Sequence, residues 1–175
     1  MAPIPDLNAA ERPAGLQRVA DALAAAGHPH APVMLSDAAR TAQQAAGALG
    51  VALGQIAKSI VFRRKADDVA VLVITSGDLR VDEKKVQAIV CAEGGQLGRA
   101  DAEFVKAKTG FSIGGVSPLA HVTAPVTLID AQLFRFADIW AAAGHPHGVF
   151  RLSPAELQSL TGALVHDVTE PLTTS

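Results

Sequence analysis

The sequence predicts a single α/β domain of the mixed, α+β type, on three observations. Helical and strand patterns alternate along the chain instead of segregating into separate halves. Two apolar runs, residues 59–63 (SIVFR) and 69–75 (VAVLVIT), are joined by Arg64-Lys65-Ala66-Asp67-Asp68, the pattern of a hairpin and therefore of an antiparallel pair. The 175 residues contain no linker and no break in composition, and a chain of this size can bury ~70% of its unfolded surface in one core.

Residues 1–15 read as a loose arm rich in Pro and Ala, and residues 16–175 as the domain. Leu16, Val19, Ala20 and Leu23 share one helical face, which predicts a helix over 16–26 stopped by Gly27. Residues 32–35 are a short strand. Thr41 and Gln44 form a capping-box pattern for a helix over 41–49, with Gly50 at its end. The 69–75 run is apolar at nearly every position, as expected of a strand covered on both faces. Ser76-Gly77-Asp78 turns the chain, Asp82 caps a helix reaching about Cys91, and Asp101 caps another that ends near Gly110. The loop FSIGGVSP occupies 111–118. Strands follow over 126–129, 138–143 and 149–152, the last two around the turn GHPHG. Ser153, Pro154 and Glu156 open a helix that Gly162 closes, and 164–168 is the final strand. The sequence GHPH occurs at Gly27 and again at Gly144, too short an echo to be a structural repeat.

Composition excludes several classes of function. Hydrophobic residues make up 49% and charged residues 18%, the balance of a globular chain. With no Tyr, one Trp and six Phe, the core must come mainly from Ala, Val, Leu and Ile. A net charge of -2 argues against coating nucleic acid by bulk charge, though not against a local site for one RNA end. The single Cys91 forms no internal disulfide and fits a reducing compartment. With neither a signal-peptide pattern nor an apolar run of ~20 residues, the expectation is a cytoplasmic protein without membrane or DNA contacts.

Most catalytic patterns fail when tested residue by residue. The run Gly114-Gly115-Val116-Ser117-Pro118 has Pro where a serine-hydrolase elbow needs its second Gly. Cys91 lies in the apolar helix segment AIVCA and reads as a buried structural thiol. The pairs His28/His30 and His145/His147 each enclose a Pro and recruit no further ligand at metal spacing, so they read as loop histidines and no metal or other cofactor is expected. Two features remain. Lys58 enters an apolar strand, either as an edge lysine whose stem snorkels to water or as a fixed cation for a phosphate or developing oxyanion. The Gly114–Pro118 loop is either a plain tight turn or a place where backbone N–H groups closely approach a ligand. Together a fixed charge and a donor loop suit hydrolysis of an ester beside a phosphate.

The segments QIAKSIVF, VLVITSGDLRVDEKK, TGFSIGGVSPLAH and LID, in that order, closely resemble the YbaK/EbsC family over about residues 41–168. That family comprises free-standing aminoacyl-tRNA deacylases and the editing domain inserted in bacterial prolyl-tRNA synthetases. The lysine motif and the GGVSP motif at this separation are specific together and weak singly. The resemblance implies a barrel-like mixed β-sheet surrounded by helices. It implies that Lys58 is the functional lysine and that Gly114, Gly115, Ser117 and Pro118 belong to the loop holding the aminoacyl group. Ser59, at a position that varies among subfamilies, would tune specificity. Asp130 matches an acidic position near the pocket, with a helix cap as the other reading of the same residue. His121 either lines the pocket or sits at the surface.

The implied activity is hydrolysis of a mischarged tRNA, with Ala on proline tRNA as first choice. Water or a substrate group would attack an ester that is already activated, so neither protein nucleophile nor metal is required. Implied partners are the aminoacyl-tRNA acceptor end and, by analogy, prolyl-tRNA synthetase or elongation factor. Two other classes stay open: a catalytically silent module binding RNA ends or aminoacyl-tRNA, and a small-molecule ester hydrolase.

Overall fold

The computed structural model describes residues 13–36 and 39–171, so all but the last residues of the expected arm lie outside the described residues. Helix α1 (Ala14–Ala25) starts two residues ahead of expectation and buries Leu16, Val19 and Leu23 on one face. Strand β1 (Val33–Met34) is followed by α2 (Ala42–Leu49). The Thr41 hydroxyl accepts the Gln44 N–H and the Gln44 side chain accepts the Thr41 N–H, both at 3.1 Å, completing the capping box. A 3-10 turn (Leu53–Gln55) feeds β2 (Ile56–Arg64), which pairs antiparallel with β3 (Val69–Ser76). Then come α3 (Glu83–Val90) under an Asp82 cap, β4 (Leu97–Arg99), and α4 (Ala102–Thr109) between its Asp101 cap and Gly110. The chain continues through β5 (Val126–Asp130), a 3-10 turn (Ala131–Arg135), β6 (Ile139–Ala142), β7 (Gly148–Leu152), α5 (Pro154–Thr161) and β8 (Leu164–His166).

Among the described residues all eight strands join one mixed sheet, in the order β1-β7-β6-β2-β3-β5-β8, with β4 added to β2. The hairpins β2–β3 and β6–β7 are antiparallel, as their turns require. The pairs β2–β6, β3–β5 and β5–β8 are parallel. Parallel pairing needs long crossovers, so no local turn signal announces it. Strand β4 and the two 3-10 turns also left no readable pattern: each is three to five residues long, too short for an amphipathic period to repeat twice.

Side chains alternate across β2. Ala57, Ser59 and Val61 stand opposite Ser76, Ile74 and Leu72 and face the main core, which includes Leu16, Phe111, Phe150 and Leu157. Lys58, Ile60 and Phe62 stand opposite Thr75, Val73 and Val71, facing a second core with Val86 and Val168. Strand β3 is therefore covered on both sides, with residues 70–76 all buried.

The feature that shapes the site is on the other edge of β2. There its first residues, Ile56 and Ala57, pair with β6, and residues 62–64 pair with β4. Among the described residues, 58–61 have no strand partner on that side. An open stretch is left in the middle of an otherwise paired strand.

Candidate functional site

Lys58 is the first residue of that open stretch, inside the strand and not at its entry. It is half-buried, and its Nζ donates to the Leu79 carbonyl at 3.0 Å. Burial pushes its pKa down, the facing Asp78 carboxylate opposes this, and Arg80 adds to the lowering. The Lys58 ammonium is thus held by a backbone carbonyl.

The glycine loop lies across the same stretch. Gly115 donates to the Ser112 carbonyl at 2.9 Å, closing a turn whose third residue, Gly114, has φ +91°. Only glycine adopts that conformation readily. The two ends of the loop are anchored. Phe111 is buried, with the Arg18 guanidinium 4.3 Å from its ring centre, while Arg18 also donates to the Thr109 carbonyl at 2.8 Å. At the exit, His121 Nε2 lies 2.6 Å from the Ser117 carbonyl oxygen, and the His121 ring meets Phe111 edge-on. Among the described residues the N–H groups of Gly114 and Val116 have no hydrogen-bond acceptor.

Three cavities lie along β2, and this loop lines two of them. A largely apolar one of about 320 Å³ is lined by Leu35, Ala45, Trp140, Ala142 and Val149 together with Lys58, Ser59, Gly114 and Val116. One of about 440 Å³ lies on the far side of Ile113 and shares Ser59, Ile60, Gly114 and Val116 with the first. A polar one of about 430 Å³ is lined by Lys58 and the turn from Gly77 to Val81, with Glu83. Lys58 thus belongs to the walls of both the apolar and the polar cavity. The Ser59 hydroxyl is buried without a partner, so a ligand group is the natural acceptor or donor for it.

Lys58, Ser59 and Gly114 line one cavity; the remaining residues have other positions. Gly115 does approach backbone closely, but that backbone is the chain's own: a Cβ there would lie 2.7 Å from the carbonyl carbon of His145 and 2.9 Å from the Pro146 nitrogen. Ser117 is fully buried, and its hydroxyl accepts from the Leu119 N–H at 3.3 Å. Pro118 is buried behind it. His121 lines none of these three cavities; it is half-buried and its ring bonds the Ser117 carbonyl of the loop. Asp130 takes its helix-cap reading. It is fully buried, and its carboxylate accepts from Gln132 N–H at 3.1 Å, Val168 N–H at 3.0 Å and the Thr169 hydroxyl at 3.2 Å. It lines none of the three cavities.

Cys91 is half-buried at the end of α3, not fully buried as expected, and is absent from all three cavity walls. His28 is no simple loop histidine: its side chain is 2% exposed and its Nε2 lies 2.8 Å from the Arg151 carbonyl oxygen. Among the described residues no three His, Cys, Asp or Glu side chains converge on a point able to hold a metal ion. No helix among them is long and apolar enough to cross a membrane.

The chain is similar to known proteins in sequence and fold. The family model of the aminoacyl-tRNA editing domain matches residues 36–160. The uncharacterised protein YwhH of Bacillus subtilis (strain 168) is 34% identical over 121 residues, 69% of this chain and 74% of that one. The crystal structure of a candidate trans-editing enzyme for prolyl tRNA synthetase superimposes with a TM-score of 0.84 at 40% identity, covering 92% of this chain and 100% of that one. The hypothetical protein APE2540 does so with a TM-score of 0.78 at 28% identity, over 87% and 99% of the two chains.

Proposed function

The chain belongs to the aminoacyl-tRNA editing domain family, and from that membership we propose that it hydrolyses the ester of a mischarged tRNA in trans, with Ala on proline tRNA as the preferred substrate. The position of Lys58 carries this reading: one ammonium stands in the walls of both an apolar cavity and a polar one, with an unbonded backbone N–H loop beside it. An aminoacyl-tRNA end has that same division. Its acyl side chain is small and apolar, its nucleotide is polar and anionic, and the ester carbonyl lies at the junction. The preference for proline tRNA rests on the likeness to the candidate trans-editing enzyme for prolyl tRNA synthetase.

In this reading the acyl group enters the cavity bounded by Ala45, Trp140, Ala142 and Val149, and the terminal adenosine lies toward Arg80. Water adds to the acyl carbon, oriented by the neighbouring ribose hydroxyl. The bond from carbon to ribose oxygen breaks, the amino acid leaves as its carboxylic acid and ionises, and the ribose oxygen departs as a hydroxyl with the transferred proton. Negative charge that builds on the carbonyl oxygen is met by Lys58 and by the N–H groups of Gly114 and Val116. One preorganised donor of this kind contributes ~3 kcal/mol to lowering the barrier. Positioning by the two cavities supplies a further part. The route calls on no protein nucleophile and no metal. Aminoacyl-tRNA meets such an enzyme in the cytoplasm, on release from prolyl-tRNA synthetase or in competition with elongation factor.

Single-turnover hydrolysis across a panel of purified aminoacyl-tRNAs, with simple amino-acid esters beside them, tests the proposal. Alanyl-tRNA-Pro is expected to be cleaved fastest. Decay of every substrate at the buffer rate with tRNA binding retained would replace the enzyme with a silent binding module. Turnover of simple esters alone would replace it with a small-molecule hydrolase.

A further inference from the structure

The turn that holds Lys58 is itself held by a residue far away in sequence. Lys58 donates to the carbonyl of Leu79, and the preceding residue, Asp78, accepts from both Nη atoms of Arg135, at 3.0 and 3.3 Å. Arg135 ends the 3-10 turn Ala131–Arg135. Its Nε donates to the Gln132 carbonyl at 2.8 Å and its guanidinium lies 4.9 Å from the Phe136 ring centre. The start of the same turn is tied by the buried Asp130 carboxylate. The packing around Asp78 leaves little slack: a Cβ on Gly54 would lie 2.6 Å from the Phe136 ring and 3.0 Å from Asp78 Oδ2, and a Cβ on Gly77 would lie 2.6 Å from the Leu53 carbonyl oxygen.

Stability alone does not account for this arrangement. The Asp78 and Arg135 side chains are 32% and 30% exposed, and a pair so placed contributes only ~0–1 kcal/mol. Its position relative to Lys58 is more telling. Asp78 faces Lys58 electrostatically, yet both its oxygens are engaged by Arg135, and among the described residues no ion pair joins it to Lys58.

We propose that Asp78 and Arg135 are positioning residues for Lys58: the Asp78 turn fixes where the ammonium sits and supports its charge, while Arg135 keeps the carboxylate from capturing that ammonium and so leaves it free for substrate. Asp130 acts at the far end of the same chain of contacts, through the turn that carries Arg135. The inference rests on the proposed function only for the task it gives Lys58.

The charged groups around Lys58 set the expected signs. Asp78 and Arg80 face it from the turn after β3; Glu83 lines the polar cavity from α3 and Arg40 the apolar cavity ahead of α2; Arg135 acts through Asp78. Asp78→Asn removes the negative charge that supports the ammonium, so Lys58 should lose its proton at lower pH. Arg135→Gln unmasks Asp78, so Lys58 should hold its proton to higher pH. Arg135→Lys keeps the charge and should restore titration toward wild type.

The experiment is an NMR pH titration of lysine side chains labelled with carbon-13 at Cε, with the Lys58 signal identified by its loss in Lys58→Arg. No substrate is present, and circular dichroism checks the fold of each variant. Opposite displacements of roughly half a pH unit or more are expected, the scale of one nearby charge in a partly solvated site. The alkaline limb of single-turnover deacylation should move with them. A Lys58 titration that stays put in folded Arg135→Gln, or moves the same way in both charge-removing variants, would overturn the inference. Wild-type protein inactive on every aminoacyl-tRNA but showing opposed titrations would sink the deacylase reading and leave the positioning pair standing. Active wild type with unmoved titrations would do the reverse.

Discussion

His121 Nε2 lies 2.6 Å from the carbonyl oxygen of Ser117 and ties the exit of the glycine loop to the segment that follows. A carbonyl only accepts, so this nitrogen carries the hydrogen. Burial is the main force on the ring and lowers its pKa; the bond to Ser117 opposes it, and Arg18 adds to the lowering. The folded pKa therefore lies below the unfolded value of 6.5. Above that value the contribution to stability is fully present. As pH falls through it, the unfolded chain takes up the proton first and stability declines, levelling off once the folded pKa has been passed. The urea midpoint of wild type should drop more between pH 7.5 and 5.5 than that of His121→Gln. Equal drops in the two proteins would show that His121 is not the buried group responsible.

Lys58→Ala should lower single-turnover deacylation by at least ~100-fold, the scale of losing one electrostatic donor at a reacting centre. Its melting temperature should change little, because the half-buried ammonium leaves no large apolar cavity. Lys84, exposed on α3, is the matched control, and Lys84→Ala should do no more than weaken tRNA binding in a salt-dependent way. Cys91→Ala should stay within a few-fold of wild type. Near-normal turnover by folded Lys58→Ala would remove the central residue of the proposed site.

Gly115 and Gly114 should respond differently to substitution. A methyl on Gly115 meets the backbone of His145 and Pro146, which cannot swing aside like a side chain. Gly115→Val should therefore cost ~1–3 kcal/mol of stability as overpacking. It should also lower turnover, because Pro146 lines the apolar cavity. A methyl added to Gly114 would meet nothing within 4 Å, but the residue sits at φ +91°. Gly114→Ala should carry only the ~1–2 kcal/mol strain of a left-handed residue. Chemical denaturation of both variants, beside their deacylation rates, checks the ordering; a Gly115→Val protein as stable as wild type contradicts it.

The apolar cavity is walled by small side chains, among them Ala39, Ala42, Ala45, Ala57 and Ala142. Filling it should narrow the range of acyl groups accepted. Ala142→Leu is expected to raise the ratio of alanyl- to valyl-tRNA hydrolysis by roughly ten-fold or more, the effect of a methylene or two in a hydrophobic pocket. An unchanged ratio in the folded variant would place the acyl group elsewhere.

The local grammar of the chain is legible in its sequence. Thr41 with Gln44, Asp82, Asp101 and Ser153 with Glu156 cap helices where expected, and Gly50, Gly110 and Gly162 end them in left-handed conformations. These signals act within one turn of helix, so neighbouring residues suffice to specify them. Lys58 and the glycine loop are legible too, because a cation in an apolar strand and paired glycines before Pro are rare locally. The open edge of β2 is not. It exists because β6 reaches that strand at Ile56 and Ala57 while β4 reaches it at residues 62–64, and pairings so distant in sequence leave no periodic trace. The same reason hides the bonds of the Asp130 carboxylate to Val168 and Thr169, the contact of Gly115 with His145, and the meeting of Asp78 with Arg135. The sequence by itself determined which chemical groups the chain carries and the short elements that present them. Tertiary structure alone decided which of those groups share a cavity, because assembling the sheet brings together residues whose own neighbours say nothing about one another.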